Sequence, residues 1–505
     1  MEDFSGKIVW RPSKSDLARA NVNQFIHQNQ LSSYEELIAR SAADPAWFTE
    51  SLLDFLDIRF RKPYDTILDL SDGIEWAQWC VGGEMNIIDN CLDKHLTTPT
   101  ADQMALIWEG ENRAARSYTY SELAGEVART ANALRQLGLK KGETIGLFMP
   151  MIPEIVIAML AIAKIGAVIL PLFSGYGAAA VANRLADANA RALFTADGFH
   201  RGGHLVPLKR TADLALHDLP DVQTVIVAQH ADVPVDLLTG RDHWWHDLVG
   251  VQSDTAETEN TTAEDLLMLI YTSGTTGRPK GAVHTHCGFP VKAAQDMAFN
   301  HDVHPGEVVY WITDMGWMMG PWLVFGTTLL GATMFIYDGS PTFPDHGRIW
   351  AMAERHKINM LGLSPTYVRA IIPHGTDLIH KHDLSSLRMF SSTGEPWTPD
   401  AWRWLFQNVG KSRLPIINYS GGTEISGGIL MDSPVLPLKP ASFNSPCPGI
   451  DADVFGEDGK PLRNAVGELV LKSPWIGMTR GFWKDKQRYL DTYWSRWPKT
   501  WVHGD

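Results

Sequence analysis

An α/β fold with two mostly parallel sheets sandwiched with helices is what this sequence predicts, and three observations carry it. From about residue 105 short apolar runs alternate with helical patterns. The runs are rich in Val, Ile and Leu and six or seven residues long, as in strands buried on both faces. There are ten of them, more than one open sheet usually holds.

The first hundred residues carry helical signals and few strand runs. Asp44-Pro45 is a cap followed by a first-turn proline, opening AWFTESLLDFLDI, whose Phe48, Leu52, Phe55 and Leu56 share a face. This segment, residues 1–104, reads as an extension packed on the main body.

The strand candidates are TIGLFMP (144–150), AVILPLF (167–173), ALFTAD (192–197), TVIVAQ (224–229) and LLMLIYT (266–272). VVYWIT (308–313), TMFIYD (333–338), INMLGLS (358–364), RMFSST (388–393) and PIINYS (415–420) continue them. Between them lie helices from Ser121 to Leu137, from Ser364-Pro365 and from Thr398-Pro399 up to Gly410. Residues 105–440 therefore read as the α/β core. After 440, DADVF, GEDGKP and GELVLK read as a hairpin in a smaller β-rich, barrel-like subdomain, 441–505.

One stretch imitates a membrane span. Residues 155–173, IVIAMLAIAKIGAVILPLF, are apolar for nineteen positions except Lys164. Gly166 divides it into a buried helix after Pro153 and a buried strand, and Lys164 and Pro171 argue against a lipid-exposed helix. The net charge of -14, with no Lys/Arg-rich run, argues against a nucleic-acid partner. Cys80, Cys91, Cys287 and Cys447 stand far apart with no CxxC pair, and MEDFSGKIVW has no apolar core, so a cytoplasmic home is expected.

The most informative stretch is LIYTSGTTGRPKGAVHTH, 269–286. A strand runs into YTSGTTGRPKG, whose glycines let backbone N–H groups face an anion, whose hydroxyls add donors, and whose Lys280 adds a point charge. It is not a Walker A loop, because Arg278 and Pro279 separate the last glycine from the lysine. Position for position it resembles the phosphate loop of the adenylate-forming superfamily, which contains acyl-CoA synthetases, luciferases and peptide-synthetase adenylation domains. STGEPW (392–397), NYSGGTE (418–424) and the approach to the terminal HGD resemble further motifs of that family, in its order.

The resemblance implies a large adenylate-forming N-terminal domain that activates a small carboxylic acid with ATP and Mg2+ and passes it to CoA as a substrate. It implies Thr272, Ser273, Gly274, Thr275, Thr276, Gly277 and Lys280 at the ATP phosphates. Gly394, Glu395 and Pro396, with Asn418, Tyr419, Ser420, Gly421, Gly422 and Thr423, would lie along AMP. Glu424 would ligate Mg2+ and Asp505 the ribose. These types suit the chemistry: a carboxylate is a hard ligand for Mg2+, and an ionised Asp accepts from paired ribose hydroxyls.

Acetyl-CoA synthetases give the nearest resemblance, through the extension, RGGHLVPLKR, TDMGWMMG and GEPWTPDAW. Two departures matter. The branch's Arg-Gly-Gly-Arg, which holds CoA phosphates, is here Arg201-Gly202-Gly203-His204, and the histidine carries little charge at neutral pH. The Trp that closes the acetate pocket three positions before the motif Glu is here Gly421. The pocket, with Trp317, Met318, Met319, Thr393 and Gly421, is therefore expected to take an acid larger than acetate: acetoacetate, a short or medium chain, or an aryl acid. Family members continue past the Gly-Asp into a small C-terminal domain with an adenylation lysine, which nothing here resembles. The 505-residue chain is therefore expected to bind ATP with impaired pyrophosphate exchange. The alternatives are a binding module without full activity and an adenylation domain loading a carrier protein.

Overall fold

The computed structural model describes residues 6–272 and 279–504. In its first sheet the strands Thr144–Leu147, Val168–Pro171, Ala190–Ala196, Thr224–Ala228, Asp242–Trp244 and Leu266–Thr272 run parallel, and Lys280–Thr285 turns back antiparallel to the last. In the second, Met104–Gly110, Val308–Trp311, Thr333–Asp338, Met360–Leu363, Met389–Ser392 and Ile416–Gly422 are parallel. Ala115–Thr119 closes one edge antiparallel, and Gly427–Met431 and then Ser445–Pro446 close the other. All ten anticipated runs contain strands. The hairpin Met104–Gly110/Ala115–Thr119 was not anticipated; its turn needs Arg113 at φ 68, a conformation without a glycine to announce it.

The apolar run at 155–173 is helix Pro153–Lys164 followed by strand Val168–Pro171. Every residue of that helix but Glu154 is buried, and Lys164 keeps its ammonium satisfied by Asp93 at 3.3 Å and Thr258 Oγ1 at 2.6 Å. Among the described residues no helix is long and apolar enough to cross a membrane. Asp44 and Ser364 cap their helices through the N–H groups of Trp47 and Tyr367. Thr398 makes no side-chain cap, and helix Pro399–Trp404 passes into a π-helical turn, Leu405–Val409, before Gly410.

The N-terminal extension docks on helix Phe289–Phe299, where Phe25 and Phe55 lie 5.1 and 5.5 Å from the Phe299 ring. It also buries Cys80 beside the body's buried Cys287, whose thiol donates to Glu264 Oε1 at 3.3 Å and is held well above its usual range by burial. The β-rich segment is a three-stranded antiparallel sheet, Ala452–Phe455, Glu468–Leu471 and Trp501–Val502.

Between the strands at the second sheet's edge lies Asp432, 2% exposed, whose Oδ2 accepts the Asn418 N–H at 2.9 Å. Burial pushes this carboxyl up to about 8 from an ordinary 3.8. Between those values the folded chain holds a proton that the unfolded chain has lost, so its contribution to stability falls as pH rises. Asp432→Asn keeps an acceptor for Asn418 and should flatten this dependence, melting about 2 °C above the parent at pH 8 with a smaller or reversed difference at pH 5. Thermal melts at the two pH values check it.

Candidate active site

Parallel strands present their carboxyl ends on one side, and the ligand crevice of an open α/β sheet lies outside them. Here Ile312-Thr313-Asp314, Ser364, Thr393-Gly394 and Gly421-Gly422-Thr423 all emerge at that edge and line a cleft of about 540 Å³. Opposite stand Trp317, Met318 and Met319 from the start of helix Met319–Leu329, and Arg201 reaches in from the strand pair Phe199–Arg201/His204–Val206. The Trp317 indole is 54% exposed and rests on Phe173 at 5.5 Å. Asp314, within TDMGWMMG, was not anticipated as a site residue. It is buried at the cleft floor, accepts Ser174 Oγ at 2.6 Å and the Gly316 N–H at 2.9 Å, and is raised above the usual carboxylate range by burial.

Gly421 is tighter than the missing indole implies. A β-carbon there would lie 1.9 Å from the Gly427 carbonyl oxygen, and the register slips between Ser420 and Gly421. The expectation that a lost side chain simply leaves a hole is therefore corrected. The backbone of strand Gly427–Met431 fills the space behind residue 421, and the cleft wall here is main chain. Ser420, half-buried beside the slip, does not line the cleft.

Neighbouring side chains divide sharply. Tyr419 points into the core, 2% exposed among Trp311, Trp322 and His301, with its hydroxyl on Asp296 Oδ2 at 3.2 Å, so its ring offers no platform in the cleft. The alternation of a strand sends it there. Asn418 is also drawn away, donating Nδ2 to the Ser442 carbonyl at 3.3 Å. Glu395 turns outward to Arg369 and the Thr366 N–H, leaving Gly394 as the member of its segment at the cleft; Pro396 is not in the lining.

A second cluster adjoins Thr423. Glu424 sits in the turn Thr423–Ile425, and its Oε1 accepts the Tyr493 hydroxyl at 2.8 Å and Thr272 Oγ1 at 3.4 Å. Lys280 Nζ lies 5.4 and 5.6 Å from the Phe482 and Tyr493 ring centres; burial lowers its pKa while the Glu424 charge opposes this. The anticipated Thr272, Lys280 and Glu424 are thus brought together. Ser273, Gly274, Thr275, Thr276 and Gly277, and Asp505, lie outside the described residues. The strand leading to Asp505 passes this cluster: Trp501 stacks on Tyr493 at 4.0 Å, and His503 Cε1 lies 3.4 Å from where a Gly422 β-carbon would be.

At the far end of the cleft, the Gly202 and Gly203 N–H groups point at Glu111, which accepts them at 2.7 and 2.8 Å together with the Ser340 N–H at 2.9 Å. This small anion nest is filled by the protein's own carboxylate. Arg201 faces the cleft, whereas His204 is exposed and outside its lining.

The AMP-binding enzyme family matches residues 93–483, and the acetyl-coenzyme A synthetase N-terminus matches residues 34–91. The chain belongs to the AMP-binding enzyme family. It is a ligase of the acyl-CoA synthetase type, a group defined by its use of ATP and CoA. It is 39% identical to the acetyl-coenzyme A synthetase of Chlorobaculum tepidum over 95% of this chain and 72% of that protein. It is 38% identical to the one from Rubrobacter xylanophilus over 100% and 77%. The solved acetoacetyl-CoA synthetase from Streptomyces lividans superposes with a TM-score of 0.92 at 31% identity, over 99% of this chain and 78% of that one.

Tyr493 was not anticipated as a site residue; the aromatic density of YLDTYW was its only mark in the sequence. Tyr493→Phe keeps the ring on Trp501 and deletes the hydroxyl on Glu424. A hydrogen bond to a charged group is worth about 1.5 kcal/mol, so ATP affinity measured by calorimetry with Mg2+ should fall roughly tenfold with the melting temperature nearly unchanged.

Proposed function

We propose that this chain forms the nucleotide- and acid-binding body of an AMP-forming carboxylate:CoA ligase whose acid is larger than acetate. The observation that carries the acid size is Gly421, where the cleft wall is bare main chain facing Trp317, Met318 and Met319 across about 540 Å³. The names of the curated relatives favour acetate. The solved neighbour's name favours acetoacetate, which at four carbons fits a cleft of this volume and leads the candidates.

In this reading a carboxylate oxygen attacks the α-phosphorus of ATP and pyrophosphate departs; the CoA sulfur then attacks the acyl carbon and AMP departs. Lys280 and the loop before it neutralise the phosphates, Thr423 offers a hydroxyl to the α-phosphate, and Asp505 holds the ribose. Glu424 fits Mg2+ shared with substrate phosphates, because one oxygen is fixed by Tyr493 and Thr272 while Oε2 lies toward Gly422. Bound there, the ion would offset charge building on the leaving pyrophosphate. Arg201 supplies the cationic contact to CoA at the cleft's far end, and His204 stands at the solvent edge beside it.

ATP–pyrophosphate exchange by the full-length enzyme with acetate, butyrate, acetoacetate, hexanoate and benzoate tests this. Two extra buried methylenes are worth about 1.6 kcal/mol, so kcat/KM for the best four-to-six-carbon acid should exceed that for acetate by about tenfold. A preference for acetate would contradict the reading.

A further inference from the structure

Helix Phe289–Phe299 runs beneath the two strands that meet at Gly421, and it carries one of the two most deeply buried ion pairs of the described residues, the other being Lys209–Asp242. Lys292 and Asp296, one turn apart, are 1% and 0% exposed at their side chains and pair Nζ to Oδ1. The other carboxylate oxygen, Asp296 Oδ2, accepts the Gly428 N–H at 2.8 Å and the Tyr419 hydroxyl at 3.2 Å. One anchor lies on each strand: Tyr419 is two residues before Gly421, and Gly428 one residue after Gly427.

The layers are stacked without slack. A β-carbon on Gly421 would strike the Gly427 carbonyl at 1.9 Å. A β-carbon on Gly427 would strike Asp296 Oδ2 at 2.3 Å and Lys292 Cε at 3.1 Å. One on Gly477, on the far side, would meet Lys292 Cβ at 2.7 Å. From the helix outward the order is ion pair, Gly427, Gly421, cleft. The height of the pair therefore fixes how far the Gly421 wall stands into the cleft.

Stability is a poor reason for such a pair, because replacing a buried ion pair with apolar groups of similar volume is often neutral or stabilising, whereas fixing register is its best-attested use. Apolar residues could hold this helix in the core equally well; they could not accept hydrogen bonds from both strands at once. We propose that Lys292 and Asp296, through Tyr419 and Gly428, are specificity-determining positioning residues: they set the depth of the Gly421–Gly427 crossing and hence the acyl length that the cleft accepts. The inference rests on the reading that this cleft takes the acid.

Acyl-sulfamate analogues of the acyl adenylate, acetyl and hexanoyl, measured by calorimetry with adenosine 5′-sulfamate as the acyl-free control, test the proposal without requiring turnover. Two variants are compared with the parent: Tyr419→Phe, which deletes one hydroxyl, and Lys292→Met/Asp296→Val, which deletes the pair. The hexanoyl-to-acetyl affinity ratio should fall about threefold in the first and about tenfold in the second, with the acyl-free control within twofold of the parent. A purely structural role would weaken all three ligands together. A ratio within twofold of the parent in Tyr419→Phe, and in the double variant if it folds, would overturn the proposal. A parent that binds the acetyl analogue more tightly than the hexanoyl one would instead overturn the larger-acid reading on which it rests.

Discussion

Strand Ile416–Gly422 lies against Gly427–Met431 so closely at one point that residue 421 has no room for a β-carbon, and the site is organised around that contact. Because the two backbones touch there, the wall of the cleft is main chain. Because the contact is backed by Gly427 and then by Asp296, the wall has a defined height. On the cleft side the next residues of the same strand carry the chain through Gly422 and Thr423 to Glu424, so the height of the wall and the place of the Glu424 cluster are set by one contact. A side chain at 421 would therefore require both strands to take another course.

The same economy holds at the Glu424 end. Tyr493 closes helix Lys486–Tyr493, donates to Glu424 and stacks on Trp501, the strand residue four before Asp505. One aromatic side chain thus ties a carboxylate in the second sheet's loop to the final strand. At the other end Glu111, from the turn after strand Met104–Gly110, satisfies two glycine N–H groups of the Arg201 hairpin and leaves the Arg201 side chain as its contact with the cleft.

Much of the fold was legible because its strands announce themselves. Runs such as LLMLIYT and TMFIYD are continuously apolar between their ends, and both are strands over the full length read from the sequence. The family's motifs placed Gly394, Gly421, Gly422, Thr423 and the Thr272–Lys280–Glu424 cluster where the cleft and its neighbour are found. What was not legible depends on neighbours far along the chain. Gly427–Met431 opens on two glycines and is held as a strand by its pairing with Ile416–Gly422. Asn418 and Tyr419 carry motif positions, but pairing with strand Met389–Ser392 and the alternation of the strand turn their side chains toward Ser442 and Asp296. Lys292 and Asp296 look like a surface i,i+4 pair in sequence, and only the packing of the extension and both glycine strands around that helix buries them.

The most direct test is a crystal structure of the Lys292→Met/Asp296→Val protein superposed on the parent through strands Val308–Trp311, Thr333–Asp338, Met360–Leu363 and Met389–Ser392. If the pair sets the wall, the Gly421 backbone should shift by about 1 Å or more relative to Thr393, the scale at which positioning is felt by a bound reactant, and the cleft volume should change with it. An unmoved Gly421–Gly427 crossing, with cleft volume unchanged, would contradict the account.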